Sequence, residues 1–332
     1  MNKGEHEGTP GLVSVVVPTY NRAQLITDAL DSISSQEYRP IEIIVVDDGS
    51  TDDTADVLGQ WKEANERDGE LTLHTICQQN QGGNVARNRG VAEASGLYIA
   101  FLDSDDLWHP LKLGKQLAVF QGDAEIGGVY CGVQHVELET GQSVEPVSRS
   151  YPHGWLLDQM LIRDVTSPTS TYIVRKDVFD KAGDFDIDLQ ARQDWDMWIR
   201  LAVDFKIGCV AEALVDFREH SGPRTASNPD KEIDAYRRIM EKYAPLRVER
   251  PLAVRQAAKA AFYRRMGRVH FHYKREWWQA LQYYLRAVVA WPFVFDSWAA
   301  LAGLFMPASL RQNMNRMWNR VFGKTRLAIR SH

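Results

Sequence analysis

Three aspartates follow one short apolar segment of the sequence and are suited to binding a cation. Residues 98–102 (YIAFL) are followed directly by Asp103, Ser104, Asp105 and Asp106. Residues two apart on an extended strand end point to the same face, so Asp103 and Asp105 would present their carboxylates together. Mg²⁺ and Mn²⁺ commonly combine one or two carboxylates with water and a substrate phosphate. The spacing predicts a divalent-metal site that holds a diphosphate; a solvated acidic loop is the alternative.

Two more polar segments follow apolar runs. Pro18-Thr19-Tyr20-Asn21 ends LVSVVV, and Asp47-Asp48-Gly49-Ser50 ends IEIIVV. A carboxylate at such a strand end can accept hydrogen bonds from a ribose or a base, and Tyr20 offers a stacking face. The alternative for the second segment is a turn followed by a helix cap. Neither G-x-G-x-x-G nor G-x-x-x-x-G-K-[ST] follows these strands, so a dinucleotide fingerprint and a Walker phosphate loop are not indicated.

Alternating strands and helices must position these residues. Apolar runs predict strands at residues 12–17, 41–46, 71–76 and 98–102, and helical spacing predicts helices at 21–35, 51–66 and up to 94. Strands that alternate with helices form a doubly wound, mostly parallel α/β sheet, in which ligands bind at the carboxyl ends of the strands. Further strands are predicted at 127–136 and 172–175 and a helix at 195–205. Beyond a turn-rich segment at 221–230 the pattern is almost entirely helical.

The charge of the chain is divided unequally along its length. The 332 residues are 44% hydrophobic and 25% charged, which excludes disordered, fibrous and multi-span membrane classes. Residues 1–249 contain 24 Lys and Arg against 42 Asp and Glu, a net of −18, whereas residues 250–330 contain 15 against 2, a net of +13. A basic region usually faces an anionic partner. We therefore expect two parts with different partners.

The cysteines and the first residues bear on the compartment. Cys77, Cys131 and Cys209 are odd in number and lie in no C-x-x-C arrangement, which favours a reducing compartment over a disulfide framework or a thiolate zinc site. Residues 1–11 are polar and lack an apolar core segment, so they predict a disordered tail rather than a signal peptide.

The order of the motifs resembles that of a known enzyme family. V-S-V-V-V-P-T-Y-N-R, V-V-D-D-G-S-T-D, N-x-G-x-x-x-A-R-N-R-G and F-L-D-S-D-D occur in sequence, and F-D-x-x-L with Q-D-W-D-M-W-I-R-L follows. This series is similar to that of the family-2 inverting glycosyltransferases, whose catalytic domain has the GT-A fold and binds a nucleotide sugar. The resemblance covers residues 12–225, which we interpret as the catalytic domain.

The resemblance implies a role for five donor-side residues. Pro18, Tyr20 and Asp48 match residues that hold the nucleobase and the ribose. Arg87, in the A-R-N-R-G loop, matches an arginine near the nucleotide, although its spacing also suits a surface helix position. Asp103 matches the ribose-side member of the aspartate pair.

The resemblance also implies metal-side and acceptor-side residues. Asp105 matches the metal ligand, so the expected cofactor is Mg²⁺ or Mn²⁺, and His220 matches a histidine that can act as a second ligand. Asp194 matches the general base that takes the proton of the acceptor hydroxyl. On local evidence Asp194 is equally suited to cap the helix that it precedes. Gln193 stands where the family often has Glu, which removes a charge beside the base.

The C-terminal region, residues 231–332, is predicted to be a basic helical appendage. Met266, Gly267, Ala280, Tyr284 and Pro292 lie at positions that resemble one tetratricopeptide-like helical hairpin, which must pack on another surface. Residues 288–306 approach the length of a membrane span, but they contain a proline and an aspartate, which argue against a span.

The last part of this region has its own charge pattern. Residues 310–330 carry six basic and no acidic side chains beside an apolar stripe, which suits an anionic membrane surface. A solvated helix packed on its own domain is the alternative. Nucleic acid is not expected as a partner, because no nucleic-acid module accompanies the charge.

Together with the acidic strand end, the resemblance implies inverting transfer of a sugar from a nucleotide-diphosphate sugar, with a UDP-sugar favoured, to a hydroxyl of a glycan or glycolipid. The reaction would serve surface polysaccharide biosynthesis in the cytoplasm, with peripheral attachment at the inner face of the membrane. Two alternatives stay open: a nucleotidyltransferase, and an inactive scaffold that binds partners through its helical region.

Overall fold

The computed structural model describes residues 8–67, 69–143, 151–166, 168–219 and 228–306. One mixed sheet forms its centre. Its eight strands are β1 (Thr9–Thr19), β2 (Ile41–Asp47), β3 (Leu71–Cys77), β4 (Gly96–Phe101), β5 (Leu107–Trp108), β6 (Ile126–Glu137), β7 (Ile173–Arg175) and β8 (Lys206–Glu219).

Helices cover both faces of this sheet and form the region after it. The first seven are α1 (Ile26–Ser34), α2 (Thr54–Asn65), α3 (Gly83–Glu93), α4 (Lys112–Gly122), α5 (Leu157–Ile162), α6 (Val178–Ala182) and α7 (Gln193–Asp204). The later five are α8 (Pro229–Lys242), α9 (Ala244–Val248), α10 (Leu252–His272), α11 (Trp277–Ala290) and α12 (Phe295–Gly303).

The strand order is β3-β2-β1-β4-β7-β6-β8-β5. The first four strands are parallel to one another, which places the carboxyl ends of β1, β2, β3 and β4 at one edge. β7 runs antiparallel to both β4 and β6, β6 and β8 are parallel, and the two-residue strand β5 closes the order antiparallel to β8. The parallel half is therefore the doubly wound arrangement predicted from the sequence.

Two differences from the predicted elements have physical causes. β1 begins at Thr9 rather than at residue 12, because the Thr9 amide donates to the Ser95 carbonyl at 2.7 Å, so residues 9–11 belong to the strand and not to the expected tail. β8 was not predicted at all. Its alternation is interrupted by charged residues such as Glu212 and Asp216, and pairing with β6 and β5 compensates for its weak local pattern.

Both faces of the parallel strands are buried, as expected for an apolar run without alternation. Val13, Val15 and Val17 of β1 pack on one face against α1, α2 and α4. Val16 packs on the other face, where Trp195 and Trp198 of α7 belong to the same core. Each fully buried side chain of this kind contributes about 1.5–3 kcal/mol, so α7 is fixed firmly on the sheet.

Residues 229–303 are almost entirely helical, as predicted for this region. α10 and α11 form the expected hairpin, and Gly267 is needed there because a Cβ atom would lie 2.6 Å from the Tyr284 ring. The apolar stretch 288–306 is divided, with α11 ending at Ala290 and α12 beginning at Phe295. Within the ranges described above, no helix has the length and apolarity to cross a membrane. The segment 310–330 lies outside the described residues.

Candidate active site

The loops that follow β1 and β2 are joined by hydrogen bonds. Asn21, which has a left-handed φ of 50°, donates from its amide to Ser50 Oγ at 2.8 Å and accepts from the Thr51 amide at 2.8 Å. Asp47 in turn accepts from the amide (2.9 Å) and hydroxyl (2.6 Å) of Ser50. These bonds fix the loops that follow β1 and β2 relative to each other.

The two residues predicted to hold the nucleobase, Pro18 and Tyr20, lie at the carboxyl end of β1. Pro18 is half-buried and pairs with Val46 inside the sheet. Tyr20 follows the strand end and remains 46% exposed, so its ring is available for stacking. The structure therefore leaves Tyr20, rather than Pro18, as the accessible surface of this motif.

Asp48 is buried and holds the loop that leads into α3. Its carboxylate accepts from Gln78 Nε2 at 2.7 Å and from the amides of Gln81 and Gly82 at 2.9 and 2.8 Å. Gly82 has a φ of 94° and is the N-cap of α3. Asp48 thus orders the loop that precedes Arg87. Three of the about four acceptor positions of this carboxylate are therefore occupied.

Arg87 and Asp103 form an ion pair at this edge. The Arg87 side chain is buried, and its Nη2 donates to Asp103 Oδ1 at 2.5 Å, while its guanidinium lies 6.0 Å from the centre of the Phe185 ring. Asp103 remains 30% exposed. α3 therefore orients the Asp103 carboxylate and balances its charge, and Arg87 is not the surface residue that its spacing also allowed.

Asp106 belongs to the framework of the site. Ser170 Oγ donates to Asp106 Oδ2 at 2.5 Å and accepts from the Asp103 amide at 3.1 Å. Burial, and then the charges of Asp103 and Asp105, hold the pKa of Asp106 well above its usual value. Sequence reasoning missed Ser170, which lies 67 residues away from Asp103 along the chain.

Asp105 lies beside two arginines. Its carboxylate is 23% exposed and lies 3.9 Å from Arg22 Nη2. Arg218, near the end of β8, donates from Nε to the Asp105 carbonyl at 2.6 Å and from Nη1 to Asp28 at 2.6 Å. Arg218 was not predicted, because β8 itself was not. His220 lies outside the described residues.

The residues of this edge fit a divalent cation shared with a substrate. In the described ranges no three His, Cys, Asp or Glu side chains lie together as a complete metal site. Asp105 nevertheless offers partly exposed oxygen ligands, and Asp106 is turned toward Ser170. One or two carboxylates completed by water and phosphate oxygens is the usual environment of Mg²⁺. Asp105 is accordingly the residue best placed to hold such an ion.

Asp194 lies in the first turn of α7. The N-cap of this helix is Arg192, with a φ of 57°, and Asp194 accepts from the Trp195 amide at 2.8 Å. Asp194 is therefore not the cap that its local sequence also suggested. The segment before α7 is held on α3, because Asn88 Nδ2 donates to the Phe185 carbonyl at 2.9 Å. This contact joins the segment that precedes Asp194 to the helix that carries Arg87.

Asp164, which sequence reasoning missed, is electrostatically linked to Asp194. Its carboxylate accepts from the amide (3.1 Å) and hydroxyl (3.2 Å) of Thr166. Burial raises the pKa of Asp164 to about 6, and the negative charge of Asp194 acts in the same direction, while Arg192 opposes it. Two carboxyl groups and one guanidinium therefore meet beside the start of α7.

Asp164→Asn should change how stability depends on pH. Native Asp164 binds its proton more tightly than the unfolded chain, whose carboxyl has a pKa of 3.8, so stability is lost as pH rises from about 4 to 6. The variant cannot ionise, and this loss, up to about 3 kcal/mol, should disappear. Urea unfolding at several pH values measures it. The exposed Asp188→Asn is the control; equal pH slopes for parent and Asp164→Asn would contradict the assignment.

The C-terminal helices hold the start of α7 through a buried ion cluster. Glu232 of α8 accepts from Arg192 Nη2 at 2.6 Å and from Arg265 Nε of α10 at 2.9 Å. Both guanidinium groups lie over the Tyr236 ring, at 5.4 and 5.8 Å from its centre. Burial works against the charged form, but Arg265 and Arg192 keep the pKa of Glu232 below its usual value. The helical region thus contacts the residue two positions before Asp194.

These features define a mixed α/β protein with an acidic, arginine-supported site at the carboxyl edge of its parallel strands. The chain belongs to glycosyltransferase family 2, because the model of that family, described as "Glycosyl transferase family 2", matches residues 14–181. The family resemblance expected from the motifs is confirmed. Membership disfavours the nucleotidyltransferase alternative.

Curated relatives support the same family. An uncharacterised glycosyltransferase of Nostoc sp. is 31% identical over 222 residues, which are 63% of this chain and 65% of that protein. TuaG of Bacillus subtilis, a putative teichuronic acid biosynthesis glycosyltransferase, is 45% identical over 107 residues, 32% of this chain and 40% of that protein. The aligned part of this chain therefore spans less than two thirds of either relative.

Solved structures share the fold. S. aureus TarS 1–349 in complex with UDP-GlcNAc superposes with a TM-score of 0.62 at 19% identity, over 91% of this chain and 92% of TarS 1–349. The mannosyltransferase PcManGT from Pyrobaculum calidifontis, in complex with GDP-Man and Mn²⁺, gives 0.59 at 21% identity, over 93% and 83%. The GT-A-type α/β fold with C-terminal helices that the motifs implied is confirmed.

Proposed function

We propose that this chain transfers a sugar from a nucleotide-diphosphate sugar to a hydroxyl group of a glycan or glycolipid, with inversion at the anomeric carbon. One observation carries the proposal. Asp103 and Asp105 lie at the carboxyl edge of the parallel strands, supported by Arg87 and Arg22. This edge is where open α/β sheets bind ligands.

The donor is a nucleotide sugar, and a UDP-sugar is favoured. TarS 1–349 has been solved with UDP-GlcNAc and PcManGT with GDP-Man and Mn²⁺, and both share the fold of this chain. Tyr20 stacks on the base, and Asp48, with one acceptor position left, receives a hydrogen bond from the base or ribose. Asp103, oriented by Arg87, binds the ribose.

Asp105 would hold a Mg²⁺ or Mn²⁺ ion, with His220 proposed as a second ligand. Such an ion, when bound, neutralises the charge that develops on the departing diphosphate. Arg22, 3.9 Å from the Asp105 carboxylate, adds positive charge on the same side. These residues therefore favour departure of the nucleoside diphosphate.

Asp194 acts as the general base. Its carboxylate takes the proton from the acceptor hydroxyl, whose oxygen attacks the anomeric carbon opposite the leaving diphosphate. One bond to carbon forms as the other breaks, so no covalent enzyme intermediate is required and the configuration inverts. Arg192, held by Glu232, fixes the start of the helix that carries this base.

Donor binding is the first test of the function. We expect UDP-sugars to raise the melting temperature of the chain in the presence of Mg²⁺ or Mn²⁺, because a ligand that binds the native state stabilises that state. The increase should be smaller when EDTA is added, because EDTA removes the ion. Uridine with the same ions is the control for binding by the base alone. If no nucleoside diphosphate or its sugar shifts the melting temperature with either ion, the proposal is wrong.

The product belongs to surface polysaccharide biosynthesis. TuaG, named for teichuronic acid biosynthesis, supports this assignment. We place the chain in the cytoplasm, attached peripherally to the inner face of the membrane through residues 310–330, whose six basic and no acidic side chains suit anionic lipid.

Deletion of residues 309–332 should weaken binding to anionic vesicles by at least about tenfold, because each basic residue near such a surface contributes about 1 kcal/mol. Sedimentation with phosphatidylcholine vesicles that contain phosphatidylglycerol measures it. The nucleotide-dependent melting shift should be unchanged, which controls for folding. Equal sedimentation of both forms would contradict the role of this segment.

A further inference from the structure

A second part of the C-terminal region exposes large apolar side chains. Val289 is 82% exposed and Phe293 is 83% exposed, although apolar side chains of this size are usually covered. Trp278, Leu285 and Val289 recur at helical spacing on α11. We call the following set the aromatic surface: Trp278, Leu285, Val289, Phe293, Trp298 and Phe305.

Side-chain contacts hold members of the aromatic surface in two groups. Trp277 lies against both Trp278 and Phe305, with ring centres 4.6 and 5.5 Å apart, and so joins α11 to the chain after α12. Trp298 donates from Nε1 to the Pro292 carbonyl at 2.9 Å, which places it beside the turn that carries Phe293. The exposed side chains therefore cluster on α11, on the turn after it and around α12, and are not scattered over the molecule.

The segment that carries the aromatic surface is basic, and two of its arginines lie beside the exposed side chains. Residues 251–306 contain eight Lys and Arg and two acidic residues. Arg275 and Arg286 are exposed at the start of α11 and next to its exposed stripe, whereas the acidic Glu276 is paired with His270 at 2.5 Å. Tryptophan and phenylalanine next to basic side chains suit the boundary between lipid headgroups and acyl chains.

From this combination we infer that the aromatic surface is a docking face for an anionic lipid bilayer. Val289, Phe293 and Trp298 enter the interface, and Arg275 and Arg286 contact the headgroups. The face extends the membrane attachment that we propose for residues 310–330, but it uses different residues and does not depend on sugar transfer.

The experiment uses the full chain with two kinds of vesicle, phosphatidylcholine alone and phosphatidylcholine with phosphatidylglycerol. We expect stronger binding to the second kind, and at least about tenfold weaker binding for the double variant Val289→Ser/Phe293→Ser, because two apolar side chains no longer leave water. Both residues are more than four-fifths exposed, so the variant should fold as the parent does. Ile187→Ser, at an exposed position of the catalytic part, is the matched control and should bind as the parent does.

Other outcomes overturn the inference. It is wrong if the double variant binds anionic vesicles as tightly as the parent, or if the parent binds neither vesicle. It is also wrong if the substitutions dissociate a dimer in sedimentation velocity without changing vesicle binding, because the surface then joins two copies. A lower melting temperature of the double variant with unchanged vesicle binding would show that another segment of the chain covers it. Vesicle binding and the nucleotide-dependent melting shift are measured separately, so absence of the shift in the parent would contradict the proposed sugar transfer and not the docking face.

Discussion

Asp194→Asn should lower the rate of sugar transfer at least about a hundredfold while the donor binds as before, since a general base typically contributes 10²–10⁴-fold. The amide keeps the shape of the carboxylate and can still accept from the Trp195 amide, so α7 should keep its first turn. It cannot take a proton from the acceptor hydroxyl. Single-turnover transfer measures the chemical step, and the nucleotide-dependent melting shift measures donor binding.

A matched variant separates catalysis from a general loss of charge. Asp188→Asn makes the same change at an exposed carboxylate six residues earlier, and its transfer rate should be that of the parent. Loss of donor binding in Asp194→Asn would mean that Asp194 supports the donor site. An unchanged transfer rate would remove Asp194 from the mechanism.

Asp105→Asn should weaken the binding of a nucleoside diphosphate in the presence of Mn²⁺ by at least about tenfold, because the amide supplies no negative charge to a hard cation. With EDTA in place of Mn²⁺, the variant and the parent should bind the nucleotide with similar affinity, since the base and ribose contacts belong to other residues. Isothermal titration with and without Mn²⁺ gives both values.

A second aspartate serves as the control for Asp105→Asn. Asp53→Asn changes an exposed carboxylate that makes no capping hydrogen bond to α2, and its affinity should equal that of the parent in both conditions. If Asp105→Asn weakens binding to the same extent with and without Mn²⁺, Asp105 acts on the nucleotide directly and the metal assignment fails.

The parallel half of the fold could be predicted because its strands are buried on both faces and end in turn residues. The apolar runs before Pro18, Asp47 and Asp103 mark three strand ends that the structure places at one edge. The pairing of Arg87 with Asp103 could not be predicted, because the two residues lie on different elements 16 positions apart. Local spacing indicates which residues reach the edge, not which of them bind each other.

Long-range contacts account for what the sequence did not reveal. From the sequence, Asp48 could either contact the nucleotide or belong to a turn. In the structure it accepts hydrogen bonds from Gln78, Gln81 and Gly82, which lie in a loop about thirty residues later. Asp164 and Glu232 belong to no recognisable motif. Their importance follows from burial next to Asp194 and Arg192, which depends on how α5, α7 and α8 pack.

The contacts of Glu232 and its neighbours link the helices after residue 228 to the sheet. Ala235, Ile239 and Tyr243 of the helical region belong to the same apolar core as Trp195 and Trp198 of α7. Loss of the helices after residue 228 would uncover that core, take Glu232 away from Arg192 and remove the Tyr243 hydroxyl, which donates to the buried Asp196 at 2.7 Å. We therefore expect the sheet and the helices from Pro229 to Gly303 to melt in one cooperative transition, although the net charge changes sign between them.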